Sequence, residues 1–188
     1  MPISVTVVTE PDRLKDLEDT WNRFIHNNAT NPFFLTGFVN QLMAFRRSKG
    51  WSPMLLVLFI DRTLVGIAPL MTMAKFGIRS VRFLHGEDLS PDFILDANYR
   101  ELCIRSIVKF VFDVLHCQFM SLTLPAESPN LNILKDVCKQ IDLYLQINDA
   151  STHRIVPIQC SWDEFQLSKG HHFGKHVKQM EKRLHQLG

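Results

Sequence analysis

The feature of this sequence that most constrains its fold is a run of three apolar segments joined by two short turns. Met54–Ile60 and Leu64–Ala74 flank the polar triplet Asp61-Arg62-Thr63, and Phe76-Gly77 separates the second segment from Ile78–Leu84. Connections this short join neighbouring antiparallel strands, because parallel strands need a crossover of a dozen or more residues. The sequence therefore predicts a three-stranded antiparallel meander.

The chain before the meander predicts one strand and two helices. Ile3–Val8 is rich in β-branched residues, and Thr9 is placed to cap a helix that opens at Pro11. The apolar residues of that helix recur every three or four positions, at Leu14, Leu17, Trp21 and Phe24. A second helix is predicted from Thr36 or Gly37 to Lys49, with a buried stripe of Phe38, Leu42 and Phe45. Each helix therefore has one face to bury.

The chain after the meander alternates strands and helices. A short strand at Phe93–Leu95 is followed by a long buried helix, a strand, a helix and two closing strands, at Tyr99–Leu115, Phe119–Leu124, Leu131–Ile141, Tyr144–Ile147 and Arg154–Ile158. A helix that leads from a meander into another strand indicates an α/β sheet of mixed direction. We therefore expect a mixed, mostly antiparallel sheet flanked by helices.

The end of the chain differs in charge from the rest. Residues 169–188 hold five cations and one anion, whereas the first 168 residues hold 16 cations and 18 anions. Ser161 and Glu164 form a capping-box pair for a short helix, and a final helix is predicted over Phe173–Leu187. We expect a domain at residues 1–160 and a basic, amphipathic helical extension at residues 161–188.

Composition argues against several classes of protein. The longest apolar run, Met54–Ile60, is far shorter than the ~20 residues of a membrane-spanning helix. The start of the chain lacks the basic and long apolar segments of a secretory signal, which favours a cytoplasmic protein.

No C-x-x-C pair occurs, so buried, reduced thiols are expected at Cys103, Cys117, Cys138 and Cys160. A nearly neutral body and 2 Tyr argue against a nucleic-acid partner.

Several short motifs gain meaning from their order along the chain. Trp21 precedes an Asn-Pro-Phe-Phe segment, and the meander contains the hairpin sequence DRTLVGIAPL. The remaining motifs are Arg82–Gly86, Asp92-Phe93, Leu122–Pro129 and Ser161–Phe165. In this order they resemble the N-terminal half of the CelD-like (BioF2-like) acyltransferases. That family belongs to the GNAT superfamily and is related to the FemAB peptidyltransferases.

The resemblance implies a GNAT-like fold that transfers an acyl group from acyl-CoA to an amine or hydroxyl of a small molecule or cell-envelope precursor. The acyl-CoA signature of that fold is an [Arg/Gln]-x-x-Gly-x-[Gly/Ala] loop, whose backbone N–H groups receive the pyrophosphate. No segment matches it, because Gly66-Ile67-Ala68 has a suitable ending but Thr63 stands at the basic position. Since members of the family look like tandem halves, we expect this chain to be one half and the other half to handle the donor.

The acidic loop after the third strand is the predicted polar site. Acyl transfer to an amine needs a base that accepts the ammonium proton. His85 and Asp92 are the predicted catalytic residues, and Glu87 and Asp88 are the predicted substrate-binding residues. The alternative interpretation is an ordinary solvated loop whose carboxylates support turns.

The final helix carries an apolar stripe that needs a covering surface. Its members repeat at intervals of four and three residues, as in a coiled coil: Phe173, Val177, Met180, Leu184 and Leu187. Three alternatives for the surface that covers this stripe are the body of the chain, a second copy of the chain and a second half of the protein. Lys175 and Lys178 could contact a phosphate-bearing ligand such as CoA, or form a solvated face. His172 and His176 form an i,i+4 pair without a Cys or carboxylate close by, so no metal site is predicted.

Two functional hypotheses follow from these observations. In the first, the chain is an acyltransferase-family domain that supplies scaffold and part of the acceptor cleft. In the second, it is a non-catalytic module that dimerises or docks through its final helix.

Overall fold

A computed structural model describes residues 2–29, 31–86, 89–149 and 161–187. The chain divides into one unit at residues 1–150 and another at residues 151–188, and each unit has its own helices.

One mixed sheet organises the first unit. Its strand order is β1-β2-β3-β4-β6, with β5 beside β3, and its strands are Ser4–Val8 (β1), Ser52–Ile60 (β2), Thr63–Lys75 (β3), Ile78–Phe83 (β4), Ile94–Leu95 (β5) and Phe119–Met120 (β6). The described strand pairs are antiparallel except β4 with β6, which are parallel. The predicted meander and the mostly antiparallel sheet are therefore confirmed.

The β2–β3 hairpin closes through a two-residue turn. Asp61 and Arg62 have φ values of 47° and 69°, which is the left-handed conformation that a tight hairpin turn requires at both central positions. Thr63, which the sequence placed in the turn, pairs with Ile60 in the ladder. The turn is one residue shorter than predicted, because two residues of this conformation match the twist of the flanking strands.

Strands β4 and β5 share the same edge of β3. β4 pairs with Leu70–Lys75, and β5 pairs with Gly66 and Ile67. Between them, the described residues 84–86 and 89–93 leave the sheet, and the Leu84 N–H donates to the Pro69 carbonyl at 2.8 Å. The excursion places the predicted polar loop beside the end of β4.

Helices cover both faces of the sheet. The first face packs against Pro11–Asp16 (α1), Glu18–Asn28 (α2) and Thr36–Ser48 (α3), and the second against Arg100–Lys109 (α4) and Pro129–Gln140 (α5). A π-helical turn, Phe110–Val114, extends α4. Successive residues of β2 alternate between the two cores, as the pleat of a strand requires.

The first predicted helix is in fact two helices. It breaks at Leu17, whose φ and ψ are −100° and −1°, and Glu10 rather than Thr9 is the residue before its first turn. The break lets α2 change direction, so that Trp21 is fully buried and its indole N–H donates to the Phe34 carbonyl at 2.8 Å.

The predicted buried stripe of α3 is confirmed at Leu42, which is partly buried against the core of the first face, and is wrong at Phe38 and Phe45. Val39 and Met43 are buried, whereas Phe38 and Phe45 are 37% and 52% exposed. Phe38 packs on Phe33 with ring centroids 4.9 Å apart, and cations of Arg46 and Lys49 lie over Phe45. These two rings therefore have partners outside the core.

Other predictions after the meander are confirmed only in part. Cys103, Cys117 and Cys138 are buried free thiols, and Cys160 lies outside the described residues. β6 is shorter than the predicted strand, and residues 144–147 form no strand in the structure. Their Tyr144 side chain is 90% exposed, so this segment lacks the burial that a closing strand needs. The predicted strand Arg154–Ile158 lies outside the described residues.

The second unit contains two helices, Trp162–Ser168 (α6) and His171–Leu187 (α7). The predicted capping box is confirmed, because the Ser161 N–H and hydroxyl both donate to Glu164 Oε2 at 2.9 Å. Phe165 and Phe173 pack edge to face with centroids 6.0 Å apart. Within the described residues, no helix is both long enough and apolar enough to cross a bilayer.

Candidate functional site

The candidate site lies where the parallel strands β4 and β6 separate. Their ladder ends where the Ser121 N–H donates to the Val81 carbonyl at 2.9 Å. Ligands of open α/β sheets bind in the crevice beyond the carboxyl ends of such strands. The smaller of two cavities, about 190 Å³, adjoins this place, and the larger, about 510 Å³, lies against β5 and the first turns of α4 and α5.

His85 lies at the wall of the smaller cavity and is 3% exposed. Its Nε2 is 2.9 Å from the Phe33 carbonyl, and a carbonyl can only accept, so Nε2 carries the proton. Nδ1 is buried and has no hydrogen-bond partner among the residues that the structure describes. Burial lowers the pKa of His85, the Phe33 contact opposes this shift, and the positive charge of Arg46 adds to it. The imidazole is therefore neutral, with the lone pair on Nδ1.

Two arginines line the same cavity. The Arg46 Nε donates to the Leu84 carbonyl at 2.9 Å, which fixes its guanidinium beside the start of the excursion. The Arg82 guanidinium lies over the Trp51 ring, 5.8 Å from its centroid. A Cβ at Gly86 would come within 3.4 Å of an Arg46 terminal nitrogen, so the absence of a side chain there leaves room for this guanidinium.

Asp92 lies at the wall of the larger cavity, in a network with the start of α5. Its Oδ1 accepts from the Phe93 N–H at 2.7 Å and from Asn130 Nδ2 at 2.8 Å, and its Oδ2 accepts from the Ser128 hydroxyl at 2.7 Å. Burial raises the pKa of Asp92, although these three donors and the charge of Arg100 oppose the shift. The carboxylate therefore ties the excursion to the cap of α5.

Within the described ranges, two buried polar atoms of residues that line the larger cavity have no hydrogen-bond partner. They are the Nε of Arg100, at the first turn of α4, and the Oδ1 of Asn130. A buried donor without a partner is costly, so a ligand acceptor at Arg100 Nε would be stabilising. Both residues lie on elements that follow the separating strands.

The start of α4 lacks the glycine-rich backbone of the acyl-CoA signature. The segment before Arg100 reads Asp-Ala-Asn-Tyr, and Asp96 Oδ1 accepts the Asn98 N–H at 2.8 Å. The Asn98 N–H, one of the backbone donors that would otherwise face a pyrophosphate, is thus already bonded to the Asp96 carboxylate. The residues present fit a phosphate through the Arg100 side chain, and they do not fit one through a glycine cradle.

The predicted site residues are distributed over several places. His85 and Asp92 line different cavities, so they do not form one catalytic pair. Glu87 and Asp88 lie outside the described residues. Lys175 and Lys178 are exposed on α7, in the second unit. In the described ranges, no group of three or more His, Cys, Asp or Glu could hold a metal ion.

Sequence reasoning missed four residues of this region. These residues lie on four different elements, and only the folded chain brings Arg46 and Arg82 to the smaller cavity and Arg100 and Asn130 to the larger one. Single arginines in amphipathic segments resemble ordinary surface cations. The one available signal was Arg82 within the Arg-Phe-Leu-His-Gly motif.

Comparison with known proteins supports the fold. No protein-family model matches the chain, and no curated protein matches it either. A ribosomal-protein-alanine N-acetyltransferase from Brucella melitensis biovar Abortus 2308 is 13% identical with a TM-score of 0.51, over 82% of this chain and 100% of that one. An aminoglycoside acetyltransferase from an uncultured soil metagenomic sample is 10% identical with a TM-score of 0.51, over 85% and 100%. This chain therefore has the fold of the GNAT acetyltransferases, as its sequence predicted.

Proposed function

We propose that this chain is a GNAT-type acyltransferase domain that moves an acyl group from acyl-CoA to an amine, with His85 as the general base. The observation that carries the proposal is the neutral, buried imidazole of His85 at the cavity beside the separating strands. Its Nε2–H is committed to the Phe33 carbonyl, and its Nδ1 has no partner. A general base needs an available lone pair and a pKa close to or below the working pH.

The chemistry asks little of the protein beyond positioning and proton removal. The amine attacks the thioester carbonyl, the C–N bond forms, and the C–S bond breaks. His85 Nδ1 accepts the proton that the amine loses, and the CoA thiolate leaves. Holding the two reactants together supplies much of the acceleration, because an oriented pair reacts as one molecule.

We assign the donor to the larger cavity on the basis of Arg100. The unpartnered Nε of this residue supplies a cation and a hydrogen-bond donor for a phosphate group. Asp92 and Asn130 then act as positioning residues, because their mutual hydrogen bond holds the wall of the cavity. The competing arrangement is that a second GNAT-like half binds the donor.

Calorimetric titration with acetyl-CoA tests this function. We expect micromolar binding, weakened about tenfold or more in Arg100→Gln, since a charge-assisted hydrogen bond is lost. Arg105→Gln is the matched control, because Arg105 lies on the same helix and pairs with Glu101 on the surface. Absence of heat for the unaltered chain would contradict donor binding and favour the second-half arrangement.

Release of CoA thiol in the presence of an amine panel tests the base. We expect His85→Gln to bind acetyl-CoA as the unaltered chain does and to lose about a hundredfold or more of the turnover rate. The Gln side chain keeps an N–H donor for the Phe33 carbonyl, so the fold is retained. Full turnover in this variant would exclude His85 as the base.

The second candidate function is self-association through α7. The observation that favours it is the exposure of large apolar side chains in the second unit, where Met180 is 45% and Leu167 is 80% exposed. Such side chains are commonly covered by a partner. Under this proposal a second copy covers the stripe that begins at Phe173 and Val177, and the solution mass of the chain is the test.

A further inference from the structure

We infer that the smaller cavity binds an anionic group, a carboxylate or a phosphate, and that the acyl acceptor is an amine carrying that group. The identification of the ligand as the acyl acceptor rests on the proposed function. The anion site itself is inferred from the positions of Arg46 and Arg82. Neither guanidinium contacts a reacting atom in the transfer chemistry described above, and the effect of Arg46 there is confined to lowering the pKa of His85.

A hydrogen bond to the backbone holds Arg46 in place. Its Nε donates to the Leu84 carbonyl, and one terminal nitrogen lies 3.4 Å from the position that a Cβ on Gly86 would take. A guanidinium offers five N–H donors in a planar fork that suits carboxylate and phosphate oxygens. Arg46 therefore arrives at the cavity oriented, and its terminal nitrogens make no hydrogen bond to another residue in the part of the chain that the structure describes.

Arg82 lines the same cavity from strand β4. The Arg82 guanidinium carbon lies 5.8 Å from the centre of the Trp51 ring, and this cation–π attraction favours a position beside the cavity. In the ranges that the structure describes, no carboxylate oxygen lies within 4.0 Å of either arginine. Two cations that share a cavity repel each other unless an anion lies between them, so the pair favours a negatively charged ligand.

His85 completes the pattern with a neutral acceptor. Because Nδ1 carries a lone pair, it pairs with a donor such as an amine, whereas the arginines pair with acceptor oxygens. A cavity of about 190 Å³ suits a small molecule. The chemistry therefore fits a compact amine with an acidic group, such as an amino acid or a phosphorylated amine, and disfavours polyamines.

Titration with inorganic phosphate and with acetate, without any acyl-CoA, tests the anion site. The anion that binds more tightly identifies the recognised group. We expect Arg82→Gln to weaken binding about tenfold or more. Arg47→Gln is the matched control, because Arg47 neighbours Arg46 on α3 but bonds to Glu10 on the surface. Arg46→Lys is a second variant, which keeps the positive charge of Arg46 and removes its guanidinium.

Matched pairs of acceptors test the substrate class. We expect glycine to exceed glycinamide, or O-phosphoethanolamine to exceed ethanolamine, by about tenfold or more in kcat/KM, and Arg82→Gln to remove the preference. Anion binding without any transfer would leave the site standing and refute only the proposed function. Transfer to neutral amines at equal rates would overturn the inference and leave the proposed function intact. Anion binding that appears only in Glu87→Gln/Asp88→Asn would also overturn it, because the chain's own carboxylates would then occupy the arginines.

Discussion

At the scale of the residue, His85 links stability to proton binding. Burial lowers its pKa below the ordinary value of 6.5, so the folded chain holds this imidazole neutral where the unfolded chain has begun to protonate it. When the unfolded state binds more protons, stability falls as the pH falls. The stability that neutral His85 contributes is therefore complete above pH 6.5 and is lost as the pH drops through the lowered pKa.

We predict that denaturant unfolding followed at several pH values will resolve this effect. Between about pH 7.5 and pH 5.5, the unaltered chain should lose more unfolding free energy than His85→Gln, by up to about 1.4 kcal/mol per pH unit for one proton. The raised pKa of Asp92 gives the opposite trend, stability lost as the pH rises, but it is present in both proteins and cancels in the difference. Parallel pH curves for the two proteins would show that His85 titrates normally in the folded chain.

At the scale of the element, the close approach of β5 to β3 depends on Gly66. A Cβ at this position would lie 2.9 Å from Leu95 Cδ2 and 3.2 Å from Cys103 Sγ. Both neighbours are almost fully buried, so neither has free space into which it can move. Gly66 thereby lets β5 pair with the edge of β3 while α4 packs through Cys103 on the face of the sheet at the same position.

Two alanine substitutions separate this packing effect from the general effect of replacing glycine. We predict that Gly66→Ala lowers the free energy of unfolding by about 1–3 kcal/mol through overpacking. Gly37→Ala in α3, where nothing lies within 4 Å of the new Cβ, should be neutral or stabilising by up to about 1 kcal/mol. Chemical denaturation measures both values. Equal effects of the two substitutions would mean that the β3 edge has room for a methyl group.

Elements were predictable where local chemistry decides them, and less so where distant residues decide them. The turn at Asp61 and Arg62 and the capping box at Ser161 are local, and both could be located from the sequence. The face of α3 was misjudged because Phe38 and Phe45 fit a helical spacing as well as Val39 and Met43 do. Their partners, such as the His85 ring 6.2 Å from Phe38, come from a different part of the chain.

The same limit applies to the candidate site. His85 could be proposed from its loop, because a histidine after a strand is a recognisable acid–base candidate. Its cavity partners Arg46 and Arg82 could not, since they precede it on α3 and β4 and meet it only when the sheet forms. Asp92 was proposed as catalytic from the same loop. In the structure it accepts three hydrogen bonds, which connect its loop to the start of α5.

At the scale of the whole molecule, the two units pose different physical problems. The first unit buries large clusters of apolar side chains on both faces of its sheet. The second unit is two helices, α6 and α7, that pack through Phe165 and Phe173 while Met180 stays largely exposed. Burying a side chain of this size is worth about 1.5–3 kcal/mol, so covering the stripe of α7 would supply a substantial driving force for association.

We predict that the chain self-associates through this stripe, and that a charge within it abolishes the association. Sedimentation at concentrations up to about a hundred micromolar should give a mass near twice that of one chain. An association free energy of about 8 kcal/mol corresponds to a Kd of about 1 μM, well below that concentration. Val177→Glu, at a half-buried stripe position, should give a monomer because a charge would be buried without a partner. Gln179→Glu adds the same charge at an exposed position of the same helix and should remain dimeric. A monomer for the unaltered chain at every concentration would rule out α7 as a self-association surface, and identical behaviour of the two variants would place the contact elsewhere on the chain.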